Sequence, residues 1–254
     1  MELELWFTKL LNDLVGGPLG SLLAGWHIEV ENPARPIPNY VAMEILVAVI
    51  IMALFIVLRS RLSMDKPGGL QHFFELFHDF TKGQALEQAG HHGHKFVPMV
   101  MSIGIFILGC NLIGLIPTFE SPTGFYHVTF GCAVVAWLYY HFEGFRTMGV
   151  LAYMKHFLGP VWWLAWLMLP IELVSHTGRL VSLSVRLFAN LYAGEQVFLV
   201  FLRLTFIGVP MIFMALHLFV AFLQTYIFML MTLIYLGGAA HTEEHQEEAH
   251  AAAH

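Results

Sequence analysis

The chain has 254 residues, of which 57% are hydrophobic and only 12% are charged, and its formal net charge at pH 7 is −6. A soluble domain typically carries about twice that share of charged residues, so the composition excludes an ordinary soluble protein and indicates a membrane protein with several spans. The Lys and Arg residues form no basic patch, which argues against binding to nucleic acid.

The first part of the chain predicts an interfacial segment and one span. Residues 1–39 read as an amphipathic helix, from Leu3 to Val15, and a loop rich in Gly and Pro, and we expect them to lie at the membrane interface. Residues 40–58 form an apolar stretch long enough to cross a hydrocarbon core of about 30 Å. Basic residues, from Arg59 onward, end this first span.

The middle of the chain predicts two further spans. Between the first and second spans, Leu and Phe repeat at helical spacing, which predicts an amphipathic helix on the membrane surface. Residues 96–116 and 125–142 are apolar runs that predict the second and third spans. The loop between them contains no Lys or Arg, whereas basic residues follow the first and third spans. The positive-inside rule therefore places the N-terminus outside and the C-terminus in the cytoplasm.

The last part of the chain predicts a long antiparallel hairpin. Residues 170–203 would form a helix of about 50 Å, which exceeds the hydrocarbon thickness and requires a strong tilt. A turn at 206–210 leads into a last helix at 211–236, and residues 237–254 form an acidic, His-rich tail. The sequence thus predicts an all-α polytopic membrane protein, a single domain over 1–254, with about five membrane-embedded helices plus amphipathic interfacial helices.

Polar side chains on the first hairpin helix point to a function. An arginine at mid-bilayer costs about 2.5–3.5 kcal/mol on insertion scales, so Arg186 is by default a functional residue. Glu172 and His176 lie at the predicted cytoplasmic start of the same helix and are candidates for an inner half-channel. Glu195 lies about 180° round the helix from Arg186. A proton therefore has no continuous path along one face.

The second hairpin helix offers partners at matching depths. If the hairpin turns near residue 205 or 206, Arg186 is level with Gln224, and Glu195 is level with His217. A carboxyl and an imidazole at this depth can pass protons through water, and histidine titrates near neutral pH. Glu195 and His217 are therefore the candidates for an outer half-channel.

The residues around Arg186 resemble a family signature. Residues 182–190, SLSVRLFAN, and residues 192–195, YAGE, resemble subunit a of the F-type ATP synthase, and the resemblance extends to 111–117, NLIGLIP, and more loosely to 38–40, PNY. It implies a non-catalytic stator subunit without a cofactor. Its two offset half-channels and essential arginine would face the carboxylates of a rotating c-subunit ring and couple proton flux to ATP synthesis. It also implies b subunits of the peripheral stalk and the remaining F1Fo subunits as partners, in a bacterial inner membrane.

Four further polar residues are candidates for a part in proton transport. Ser182 and Asn190 either take part in proton translocation or form hydrogen bonds between helices. Glu120 and His127 flank the loop on the outer side and are possible entrance residues, although the resembled family usually has an asparagine where His127 stands.

Two other functions stand as alternatives. A haem-binding redox protein would use intramembrane histidines, but His176 and His217 lie about eighteen residues off level in the hairpin, and a Soret band would test for haem. A secondary transporter would require a repeat that the chain lacks. The clustered histidines predict no metal site, because the HTEEH segment at 241–245 lacks a glutamate directly after its first histidine.

Overall fold

The computed structural model describes residues 5–18, 20, 35–63, 67–116, 119–149, 153, 163, 165–205 and 208–251. The predicted all-α membrane fold is confirmed. The helices in chain order are α1 (Trp6–Leu11), followed by a π-helical turn (Asn12–Gly16), then α2 (Asn39–Ser60), α3 (Gly69–Ala89), a 3-10 segment (Gly90–Lys95), α4 (Val97–Ile113), a 3-10 turn (Pro122–Gly124), α5 (Tyr126–Met148), α6 (Ala165–Leu204) and α7 (Gly208–Ala251).

Within the described residues, three helical stretches are long and apolar enough to cross a membrane: Asn39–Ser60, Trp166–Leu204 and Gly208–Gly238. Val97–Ile113 is a shorter apolar helix. Together with α5, these helices occupy the positions of the five predicted membrane-embedded segments.

The helix ends differ from the expected ones in the hairpin. α6 begins at Ala165, so Pro170 lies inside the helix rather than at its start. Proline lacks an N–H, but this position is close to the helix start, where few backbone hydrogen bonds are lost. α7 continues to Ala251, well past residue 236, because the tail is rich in Ala and Glu, which favour helix. Some predicted features lie outside the described residues: Leu3, residues 21–34 of the loop rich in Gly and Pro, Pro117, the 206–207 part of the turn, and 252–254.

The hairpin of α6 and α7 packs against α4 and α5. The buried cluster at this junction contains residues of all four helices: Ile103, Ile107, Cys132, Ala133, Ala136, Leu183, Leu187, Leu191 and Phe228. α3 packs against α4 and α7 through a second cluster, and α2 packs against α4 through a third.

One face of α6 is left uncovered by the rest of the chain. Only 11% of the most apolar window of Trp166–Leu204 is buried, compared with 39% in α7. A helix that buries so little of itself within its own chain needs lipid or a partner protein on its free side.

Candidate functional site

Arg186 lies on the partly uncovered side of α6. Its side chain is of intermediate exposure, and Nη2 donates a hydrogen bond to Ser182 Oγ at 3.4 Å, on the exposed surface of the helix. Among the described side chains, the ion pairs do not include Arg186, so it is not the partner of Glu172 or Glu195. The guanidinium therefore keeps donor groups available for an acid from outside this chain.

The partner of Gln224 differs from the predicted one. Gln224 is 1% exposed, and its Oε1 accepts a hydrogen bond from Asn190 Nδ2 at 2.8 Å, so the expected level pair of Arg186 and Gln224 is not formed. Asn190 lies one turn beyond Arg186 on α6. The pairs Asn190–Gln224 and Phe201–Phe213 are both centred on residue 207 rather than 205. This shift of the centre places Gln224 level with Asn190, one helical turn from Arg186.

The structure places Glu195 and His217 at one level of the hairpin, beside the same small cavity. Both line a small cavity of about 30 Å³, which has room for a water molecule, together with Ser121, Phe198 and neighbouring residues. The His217 side chain is buried. Glycine at position 194 allows the His217 ring to lie against α6, because a Cβ there would stand 2.6 Å from His217 Nδ1. We refer to Glu195 and His217 as the Glu195 cluster.

Glu172 and His176, one turn apart on α6, lie within hydrogen-bond distance of each other. His176 Nε2 lies 3.1 Å from Glu172 Oε1, and the His176 side chain is buried while Glu172 remains partly accessible. The pair is placed fourteen and ten residues before Arg186, at the other end of α6 from the Glu195 cluster. Arg186 thus stands between two separate pairs of one carboxyl and one imidazole.

Several groups that the sequence alone did not reveal lie around His176. Tyr140 and His141 of α5 place their rings 5.5 Å and 5.1 Å from the His176 ring, measured between centroids. His141 Nδ1 lies 2.6 Å from the hydroxyl of Tyr153, which is itself buried. We call Glu172, His176, His141 and Tyr153 the Glu172 row. The sequence could not predict the Glu172 row, because its members are far apart in the chain and no helical spacing relates them.

Arg179 lies beside this row. Its guanidinium donates to Tyr140 Oη at 3.5 Å and lies 5.3 Å from the centroid of the Tyr235 ring on α7. A cation over an aromatic face is attracted by the ring quadrupole, so Arg179 ties α5, α6 and α7 together at this end of the hairpin.

The two possible entrance residues occupy different places. Glu120 interacts electrostatically with Glu195, so it belongs beside the Glu195 cluster. His127 stacks on Tyr40 and lines a separate cavity of about 660 Å³ between α2, α4 and α5, which Glu44 also lines. The two residues thus lie in different surroundings, and their role at an entrance stays a prediction.

Asn111 is a buried hydrogen-bond centre that connects three elements. Its Nδ2 donates to Ala221 O and Thr225 Oγ1, each at 3.2 Å, and its Oδ1 accepts from Thr123 Oγ1 at 2.7 Å. These bonds join α4, α7 and the 3-10 turn beneath the Glu195 cluster. They hold the wall of the small cavity in place.

The histidines considered for haem do not face each other. His176 belongs to the Glu172 row and His217 to the Glu195 cluster, at opposite ends of α6. The side chains of His241 and His245 lie outside the described part of the chain.

Comparison with known proteins identifies a single family. Residues 41–237 match the family model described as ATP synthase A chain. An ATP synthase subunit a from Koribacter versatilis is 47% identical over 239 residues, which cover 94% of this chain and 98% of the relative. An ATP synthase subunit a from Solibacter usitatus is 52% identical over 230 residues, which cover 91% and 98%. A third, from Sulfurimonas denitrificans, is 46% identical over 180 residues, which cover 70% of this chain and 80% of the relative. Since the signature around Arg186, the helical hairpin and these alignments over most of the sequence agree, the chain belongs to the ATP synthase A chain family, subunit a of the F-type enzyme.

Proposed function

We propose that this chain is the proton-translocating stator subunit of an F-type ATP synthase, in which Arg186 faces the carboxylates of a rotating c-subunit ring. The chain itself is a non-catalytic membrane subunit. Two half-channels, one at each end of α6, deliver protons to and from that ring. Proton flux through them is coupled to ATP synthesis by the rest of the complex.

The position of Arg186 is the observation that carries this proposal. It lies on the uncovered side of α6, beside the exposed small residues Ser182, Ala189 and Ala193. Small side chains allow a second helix to approach closely within a membrane. A carboxylate on such a helix would reach the guanidinium. Because arginine stays protonated under all ordinary conditions, it attracts the ionised carboxylate and cannot itself relay the proton.

The separation of the two polar pairs supports two half-channels. Glu195 and His217 line a small cavity on the side away from Arg186, and Glu172 and His176 lie beyond Arg186 in the other direction. A single continuous row would let protons leak past the ring. Because the two half-channels do not connect and Arg186 lies between them, a proton has to pass from one to the other on the carboxyl of a partner subunit.

The hydrogen bond between Asn190 and Gln224 favours a supporting role for both residues. Gln224 is buried and its carbonyl oxygen is occupied by the Asn190 amide, one turn from Arg186. This bond fixes α7 against α6 one turn beyond the arginine. Ser182, which accepts from Arg186, holds the guanidinium against the helix surface.

The orientation and the partners are part of the same proposal. We place the N-terminus outside and the C-terminus in the cytoplasm of a bacterial inner membrane, as the charges flanking the spans favour. The Glu195 cluster then opens to the outside and the Glu172 row to the cytoplasm. The c-subunit ring covers α6, and the b subunits of the peripheral stalk and the remaining F1Fo subunits complete the assembly.

The substitution Arg186→Ala tests the function directly. In inverted membrane vesicles that contain the whole complex, we expect this variant to abolish ATP-driven proton pumping and ATP synthesis, because no fixed cation remains to release the ring carboxyl's proton. Co-purification of the other subunits checks assembly. Arg203→Ala, at the exposed end of the same helix, is the matched control and should pump. Normal synthesis by an assembled Arg186→Ala complex would refute the proposal.

A further inference from the structure

We propose that the 121–124 turn, which consists of Ser121 and the 3-10 residues Pro122–Gly124, holds the Glu195 carboxyl in place, and that Gly124 is a positioning residue of the outer half-channel. This inference rests on the proposed function, because that function places Glu195 in the outer half-channel. It gives a part in proton transport to the loop between α4 and α5, which lies outside the hairpin.

Gly124 lies directly against the end of the Glu195 side chain. It is buried, and a Cβ at this position would stand 3.1 Å from Glu195 Oε2. The turn thus brings its main chain close to one oxygen of the carboxyl. Ser121, at the other end of the turn, lines the small cavity of about 30 Å³ together with Glu195 and His217. The carboxyl therefore lies between the main chain of the turn and the cavity that it shares with the imidazole.

Packing on several sides holds the 121–124 turn in place. All four of its residues are buried, and the 3-10 residues contact α2, α4, α5 and α6. Gly114, directly after the end of α4, permits the close approach of the turn, because a Cβ there would overlap Ser121 Cβ. The turn is therefore enclosed by helices on the side opposite Glu195 and has little room to move away from the carboxyl.

Hydrogen bonds fix the turn from inside the bundle. Thr123 Oγ1 donates to Asn111 Oδ1 at 2.7 Å, and the Ser121 hydroxyl lies 3.0 Å from that of Thr123 and 3.3 Å from the Cys110 carbonyl oxygen. The Gly124 N–H donates to the Ser121 carbonyl at 3.0 Å. Because its polar groups are bonded in this way to α4, the turn is a fixed support for the carboxyl.

Two titratable groups lie around Glu195 within the described part of the chain. Glu120, which directly precedes the turn, interacts electrostatically with Glu195, and His217 of α7 lines the same cavity. Neighbouring charges change how readily a carboxyl takes up a proton, and the effect depends on distance. The turn controls these distances, since Glu120 is joined to it and Gly124 contacts the carboxyl. Its position therefore affects proton uptake by Glu195.

The first test uses the whole complex in inverted vesicles and measures ATP-driven proton pumping per assembled complex. A methyl group at position 124 would stand closer to Glu195 Oε2 than an ordinary contact of 3.4–4 Å, so the carboxyl has to move by a few tenths of an ångström. A displacement of about 1 Å can cost ~100-fold in rate, and we therefore expect Gly124→Ala to slow pumping by about 3-fold to 10-fold. Gly131→Ala on α5 is the matched control and should pump at the normal rate, because position 131 is exposed and a Cβ there would meet no described atom within 4 Å.

A shorter acid at position 195 distinguishes this contact from a merely structural effect. Glu195→Asp removes one methylene and withdraws the carboxyl by about 1.5 Å, the length of one carbon–carbon bond, which makes room for a methyl group at position 124. We expect Gly124→Ala to slow the complex that has Glu195 and to cause no further slowing in the complex that carries Glu195→Asp. Independent effects add, so equal slowing in both backgrounds would overturn the positioning role.

The Thr123 hydroxyl provides a second test that leaves position 124 unchanged. Thr123→Val removes the hydrogen bond to Asn111 and loosens the turn, whereas Thr123→Ser keeps the hydroxyl. We expect Thr123→Val to pump more slowly than Thr123→Ser and to shift the dependence of pumping on the pH inside the vesicles, the side to which the outer half-channel opens there. A slower rate with an unchanged pH dependence would show a structural effect alone and overturn the positioning role. If Gly124→Ala does not assemble, or if Glu195→Asp pumps too slowly to measure, this pair decides.

The outcomes separate this inference from the function on which it rests. If Gly124→Ala and Thr123→Val assemble and pump normally while Arg186→Ala is inactive, the positioning role of the turn is wrong and the stator function stands. If an assembled Arg186→Ala complex pumps normally, the function itself fails.

Discussion

Position 194 controls how closely His217 approaches α6. Because a Cβ on Gly194 would stand 2.6 Å from His217 Nδ1, we expect Gly194→Ala to move the imidazole out of the Glu195 cavity. A displacement of about 1 Å of a positioned group can cost ~100-fold in rate, so proton pumping should fall by about 10-fold or more. The measurement is ATP-driven acidification of inverted vesicles.

Gly178 provides the matched control for this prediction. It lies on the same helix, and a Cβ there would meet no described atom within 4 Å. Both substitutions raise helix propensity by about 1 kcal/mol, so a difference between them reports the clash alone. If Gly194→Ala pumps as fast as Gly178→Ala, His217 has no part in the rate.

At the residue scale, helical periodicity found the pairs that lie on one helix or at one depth of the hairpin. Glu172 with His176 is one such pair, and Glu195 with His217 is another. The partner of Gln224 was missed by one turn, because the depth argument depends on where the hairpin turns. His141 and Tyr153 could not be found, since their contact with α6 is set by the packing of α5.

At the element scale, Asn111 holds α4, α7 and the 3-10 turn together. Asn111→Ala would leave the Thr123 hydroxyl and the Thr225 hydroxyl with one partner fewer inside a buried site. We expect a loss of about 1–3 kcal/mol in the free energy of unfolding, the usual cost of a buried polar group left unpaired. The temperature at which the buried Cys110 becomes reactive to a thiol dye measures this loss.

The control for the loss of Asn111 is Ser102→Ala. Ser102 is on the same helix, but its hydroxyl is exposed and, among the residues that the structure describes, bonds to the Pro98 carbonyl one turn earlier. We expect its substitution to leave the transition temperature unchanged. Equal transition temperatures for Asn111→Ala and wild type would contradict the structural role of Asn111.

Helix positions were largely predictable, and helix ends were not. Apolar runs marked α2, α4, α5, α6 and α7, because a span must keep its backbone bonded within itself in lipid. Pro170 was predicted to be the start of α6, but the helix already begins at Ala165 and Pro170 lies inside it. The last helix was predicted to end at residue 236, yet the helix-forming composition of the tail continues α7.

At the scale of the whole molecule, the chain buries its hairpin unevenly. α7 packs into the bundle, while α6 presents a largely uncovered face that includes Arg186. A polar group in lipid without a partner is costly, so this arrangement favours a protein on the free side of α6. The same uncovered face bears the exposed Ala189, three residues after the arginine.

Photo-cross-linking tests which subunit covers this face. With Cys110 and Cys132 replaced by alanine, Ala189→Cys carrying a benzophenone maleimide should cross-link in membranes to a small, carboxylate-bearing subunit, because the proposed ring lies directly against this side of α6. Val49→Cys is the matched control: position 49 is also exposed but lies on α2, which packs against α4, and it should not reach the ring. Mass spectrometry of the adducts identifies the partner. A cross-link from Ala189→Cys to lipid alone, or to the same subunit from both positions, would place the ring elsewhere and leave Arg186 without the acid that its exposed position requires.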